Sequence, residues 1–119
     1  MTVLPLPPVL LVGVGGAVGA VLRHAVGEFV QVEGYPASTL AVNVLGTFVL
    51  AAITFAGATD DVLLLVGTGA CGAFTTFSSF SVDVVGLAEN ERYATAAFHA
   101  VGNLVGAGLA IGLAWAIVG

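Results

Sequence analysis

The sequence predicts an all-α membrane protein of four transmembrane helices, the third of them broken in mid-membrane. Three observations lead there. Of 119 residues, 59% are hydrophobic and 8% charged, with a mean hydropathy of +1.13. A soluble domain carries about 25% charged residues, so lipid must be the solvent for most of this surface. The length is the second observation. A spanning helix needs about 20 residues to cross roughly 30 Å of hydrocarbon, which leaves space for four spans, read as a single domain over residues 1–119, and no extramembrane catalytic domain. The third is a run of hydroxyl side chains inside an otherwise apolar stretch, Thr75, Thr76, Ser78, Ser79 and Ser81.

The first span is expected over residues 8–29. Pro7 and Pro8 suit a helix start, where a missing N–H costs nothing. No Lys or Arg precedes residue 23, so the basic region of a signal peptide is missing and the stretch reads as a retained helix. The second span is expected over 36–57, with Ser38 as its cap. The third covers 60–89 and opens on Asp60 and Asp61, whose charges favour a helix N-terminus. The fourth covers 93–118. Gly15 with Gly19, Gly102 with Gly106 and Gly108 with Gly112 are spaced to let helix backbones approach closely in lipid.

Charge says little about partners beyond excluding one. A net charge of -5 makes nucleic acid a poor ligand. Cys71 is alone, so no internal disulfide forms. Arg23 and Arg92 are the only strong bases. They are expected at opposite sides of the membrane, leaving the positive-inside bias near zero and permitting insertion in both directions.

The hydroxyl run follows Gly69 and Gly72. Glycines there permit a break, and a broken helix survives at membrane depth only where protein or a watery cavity satisfies the freed backbone. Carbonyls released at the end of the first half-helix suit a small hard cation such as Na⁺. N–H groups released at the start of the second suit an anion. Phe77 and Phe80 share one helical face, and the positive edge of an aromatic ring can face an anion. Asn43 lies inside the second span with Thr39 and Thr47 four residues to either side, a polar stripe that serves either a pore or a helix–helix hydrogen bond. Asp83 is an acid inside a span and thus a functional candidate, with Arg23 as a candidate partner. His24 and His99 lack a third ligand at metal-binding spacing.

These residues resemble a known family. The stretch Gly72-Ala-Phe-Thr75-Thr76-Phe77-Ser78-Ser79-Phe80-Ser81 is similar to the third-helix signature of the CrcB/Fluc fluoride channels. Gly16-Ala-Val-Gly19-Ala-Val-Leu-Arg23 resembles their first-helix motif, and Asn43-Val-Leu-Gly46-Thr47-Phe48 their second. Order and spacing match over about 110 residues. The resemblance implies an antiparallel, dual-topology dimer in the cell membrane, with two pores that export cytoplasmic fluoride passively. It implies a structural Na⁺ at the dimer centre, held by main-chain carbonyls of Gly72 and Thr75. Phe77 and Phe80 would line the pores, Asn43 would donate its amide to fluoride, Thr76 and Ser79 would join a polar track, and Arg23 would stand near the vestibule. The sequence departs from the family in two places. Asp83 stands where Glu is usual, and no Ser or Thr follows Thr95 in the fourth span, where Asn103 or a partner subunit must supply the polarity.

Two rival readings accompany this one. A small proton-coupled exporter would use a carboxylate within the bundle, for which Asp83 is the candidate. A subunit that conducts only beside a paralogue would fit the family members that pair as heterodimers rather than homodimers.

Overall fold

The computed structural model describes residues 5–119, all helical apart from short linkers. Helix α1 spans Pro8–Phe29, with Pro7 as its cap and Pro8 in the first turn. Helix α2 spans Ala37–Phe55. The expected cap, Ser38, does not perform that role. Pro36 occupies the cap position without a side-chain bond and Ser38 is already inside the first turn. Proline stops helical propagation toward the N-terminus by lacking an N–H, which sets the boundary two residues earlier than a Ser38 cap would. At the far end of α2, Gly57 takes a φ of 72° and the Ala58 N–H returns to the Ile53 carbonyl at 3.1 Å, a turn that a side chain would strain.

The third span is four consecutive pieces. Thr59 caps a short α3, Asp60–Val62, by accepting the Val62 N–H. A π-helical segment follows over Leu63–Cys71, then one turn of α4, Gly72–Phe74. The chain then leaves helical geometry at Thr75 and Thr76, with ψ of 161° and 120°, and resumes as α5 over Phe77–Glu89. Helix α6 closes the fold over Tyr93–Val118. Four stretches, residues 8–29, 37–55, 60–89 and 93–118, are long and apolar enough to cross a membrane. The chain is a multi-pass membrane protein.

Packing divides into two seams. Helix α1 lies along the π segment and α4; α2 and α5 both lie along α6. Among the described residues the largest fully buried side chains are Leu11, Val42, His99 and Asp61. Large apolar residues such as Leu104, Leu109 and Val9 face outward, as they do when lipid is the solvent. Gly15 and Gly19 explain how α1 docks. A Cβ at Gly15 would run into the Leu65 carbonyl and one at Gly19 into the Ala70 carbonyl. A Cβ at Gly106 would stand 2.7 Å from a Val44 methyl in the α2–α6 seam, whereas one at Gly108 or Gly112 would meet nothing within 4 Å.

The placement of charge corrects one expectation. Arg92 lies beside Gly34, its Nη2 3.5 Å from where a Cβ would stand, so the 30–36 and 90–92 linkers meet at one end of the bundle. The Arg23 guanidinium lies beside Gly27, one turn along α1 toward that same end. Two crossings, α2 and the third span, return the chain to the side it left, so both arginines sit together rather than opposed. Their positive-inside bias adds instead of cancelling.

Candidate functional site

The break at Thr75 and Thr76 is held by a side chain from another span. Asn43 Oδ1 accepts the Thr76 N–H at 2.8 Å, and Asn43 Nδ2 donates to the Thr76 carbonyl at 3.1 Å. One amide thus pairs both backbone groups of the residue that has left the helix, as an adjacent strand would. Unpaired, each would cost about 1–3 kcal/mol in an apolar surrounding. The Thr76 hydroxyl completes the repair by capping α5, accepting the Ser79 N–H at 3.0 Å. The Thr75 hydroxyl donates to the Cys71 carbonyl at 2.9 Å.

These substitutions release two carbonyls from their helical partners. In an unbroken helix the Thr76 N–H would bond Gly72 and the Ser79 N–H would bond Thr75. Here the first donates to Asn43 and the second to the Thr76 hydroxyl. Gly72 and Thr75 are the two positions expected to offer carbonyl oxygens to Na⁺, and main-chain oxygen at a half-helix end suits that ion. Among the described residues no group of three His, Cys, Asp or Glu side chains could hold a metal.

Beside the break lies a cleft of about 460 Å³, open along one side, whose wall includes Asn43, Thr47, Thr76, Phe77, Phe80 and Asn103. Phe77 and Phe80 stand with ring centroids 5.9 Å apart at 41°. Phe77 is 79% exposed, so within one chain nothing covers it. Asn103 of the fourth span lines the same cleft, and its Oδ1 accepts from Asn43 Nδ2 at 2.9 Å. Both Asn43 N–H groups are therefore engaged, one by Thr76 and one by Asn103. An anion taking an Asn43 N–H must displace one of those carbonyl oxygens. Thr47 spends its hydroxyl on the Asn43 carbonyl, at 2.6 Å.

The remaining candidates are elsewhere. Ser79 and Arg23 are not part of the cleft wall; Ser79 contributes its N–H to the cap, and Arg23 stays on α1. Asp83 pairs not with Arg23 but with His99, Oδ2 to Nε2 at 3.4 Å, because α5 packs on α6 and not on α1. His24 faces Glu28 one turn away at 3.9 Å, both well exposed. His99 is fully buried, and its Nδ1 meets the Tyr35 hydroxyl at 3.0 Å and Asn103 Nδ2 at 3.3 Å. Tyr35, in the 30–36 linker, was not among the sequence candidates; it sits between Gly34 and Pro36 with no periodic pattern to mark it. His99 and Asn103, four residues apart and so on one face of the last helix, carried the signal that could have pointed to this cluster. Burial, and secondarily the Asp83 carboxylate, push the Tyr35 phenol above its ordinary range.

Comparison with known proteins adds relatives to this geometry. Residues 10–118 match the family described as CrcB-like protein, Camphor Resistance (CrcB). The chain is 62% identical over 112 residues, 94% of either length, to a protein of Halobacterium salinarum named fluoride-specific ion channel FluC 1. It is 58% identical over 108 residues, 91% of either length, to fluoride-specific ion channel FluC 2 of Haloarcula marismortui. At 40% identity over 102 residues, 82% of each, it is similar to the fluoride-specific ion channel FluC of Methanocaldococcus jannaschii.

Proposed function

Since the chain belongs to the CrcB-like family, we propose that it is a passive fluoride channel and not an enzyme, one four-helix unit that carries fluoride out of the cytoplasm. The observation that carries this reading is the break at Thr75 and Thr76, clamped by Asn43 and opening onto a cleft with two phenylalanines in its wall. Fluoride holds water tightly, so a selective path must offer replacement donors at several sites, none so strong that the ion stays. Asn43, Thr76, Phe77 and Phe80 are the first-choice donors, with Ser79 and Arg23 as further members of the path and its vestibule.

A second copy completes the path. A cleft walled by two asparagines and three threonines, open on one side, is a poor surface to turn toward hydrocarbon. An antiparallel partner would cover it and Phe77 together. The released Gly72 and Thr75 carbonyls then suit a structural Na⁺ at the centre of the dimer, with two oxygens from each chain. When bound, the ion would supply a fixed positive potential near the anion path.

Purified chain in liposomes tests this. Fluoride should leave the vesicles, chloride should be retained, and flux should not need a proton gradient. Phe77→Ile with Phe80→Ile should abolish efflux while the protein still elutes as an intact dimer. Fluoride flux that survives both substitutions would remove the aromatic edges from the mechanism; flux that needs a proton gradient would favour an exporter.

One observation favours a heterodimer. Arg23 and Arg92 share one end of the bundle, which biases the chain toward a single orientation. A paralogue inserted the other way is then the fitting antiparallel partner. Chain that conducts when reconstituted alone excludes a strict need for it.

A further inference from the structure

His99 sits between two cavities. Phe80 and Asn103 line the cleft beside the break, whereas Tyr35 and Asp83 line a second recess of about 320 Å³ at the end where the two linkers meet. His99 touches all four. Its ring lies 5.4 Å from the Phe80 ring, its Nδ1 meets Asn103 and Tyr35, and its Nε2 faces Asp83. The imidazole is fully buried, and neither Nε2 nor Asp83 Oδ2 has a hydrogen-bond partner among the described residues.

The partners assign the proton on the ring. Asn103 Nδ2 is only a donor and also bonds the His99 carbonyl at 2.8 Å. Nδ1 must therefore be bare, accepting from the Tyr35 hydroxyl, and the ring proton is on Nε2 toward Asp83. The charged and titratable groups around this point are few. Tyr35 comes from the linker before α2, Asp83 from α5, and Arg92 from the linker before α6 lines the same recess; α2 sends Asn43, uncharged, through Asn103. With the ring neutral, an ionised Asp83 would set one negative charge between the Arg92 cation of the recess and the cleft, and a negative charge beside the cleft opposes an anion. One further proton, on Nδ1 or on Asp83, removes that charge. On Nδ1 it also displaces the Asn103 donor, and Asn103 is bonded to the Asn43 amide that holds the break.

We propose that Asp83, His99 and Tyr35 form a proton-binding site in the wall between the recess and the cleft, and that the proton held there raises the rate of anion passage. The inference rests on the channel reading, but the proton is not carried with the ion. The test is fluoride efflux from liposomes at equal pH on both sides, between about pH 8 and about pH 5.5, where histidine titrates, with efflux from protein-free liposomes subtracted. Flux should rise roughly tenfold toward the acid end, the scale of one charge removed from a poorly screened wall. His99→Gln should flatten the profile, Asp83→Asn should give fast flux at both ends, and His24→Gln should keep the wild-type slope. A flat wild-type profile overturns the proposal, as does a slope that persists in both His99→Gln and Asp83→Asn. Absence of fluoride efflux at any pH overturns the channel reading with it, whereas flux indifferent to pH overturns this site alone.

Discussion

The two seams of the molecule hold the third span by different means. On one side α1 meets the π segment backbone to backbone, through Gly15 and Gly19, with no side chain between. On the other, Asn43 of α2 bonds Asn103 of α6 and both backbone groups of Thr76 at the break. The first contact is steric. It has one geometry and tolerates no added atom. The second is made of donors and acceptors that can be exchanged for others of like kind. A path for ions belongs on the second side, because replacing a bond to Asn103 with a bond to fluoride costs little more than the difference between two hydrogen bonds, while nothing can pass through the first.

Breaking the steric seam should have the largest effect. Gly19→Val places its Cβ in the Ala70 carbonyl, a backbone atom that cannot rotate away. We expect a loss of about 3 kcal/mol or more, read as the disappearance of monodisperse protein in detergent. The matched control is Gly108→Ala, which meets nothing within 4 Å and should change thermal stability by no more than about 1 kcal/mol. Equal damage from the two would show that glycine content, and not this contact, matters.

Breaking the amide seam should be milder for the fold and severe for function. Asn43→Ala leaves the Thr76 N–H and carbonyl without their partner. We expect a loss of about 2 kcal/mol in thermal unfolding, with fluoride efflux abolished. Stability unchanged by this substitution would mean that the break holds itself and Asn43 is free to serve an ion.

The smallest effect sharpens the picture at the linker end. Tyr35 keeps a phenol pKa above its ordinary 10.0, from burial first and Asp83 second. The folded chain holds that proton more tightly than the unfolded one, so stability is present below the ordinary value and is lost as pH rises through the raised one. Absorbance titration should show one tyrosine ionising above the ordinary range, with Tyr35→Phe assigning the signal. Asp83→Asn should move the midpoint down only slightly, since burial is the larger cause.

What could be read from the residues, and what could not, follows the same division. Apolar content and spacing are properties of the chain itself, so four helices and an interruption after Gly69 and Gly72 were legible without coordinates. Ser38 shows the limit even locally, since proline geometry at Pro36 overrode a good cap. The side-chain candidates Asn43, Thr76, Phe77, Phe80 and Asn103 were also visible as polar or aromatic residues at positions where lipid tolerates few.

The pairing of those groups was decided by the tertiary structure alone. A sequence says that Asn43 has two N–H groups; it does not say that Thr76 and Asn103, 33 and 60 residues away, take them. Nor does it say that Asp83 faces His99 instead of Arg23. Helix formation in lipid depends on each segment satisfying its own backbone, so it is written in local composition. Hydrogen-bond partnership across spans depends on which faces the glycine seams bring together, and that is settled only when the helices pack.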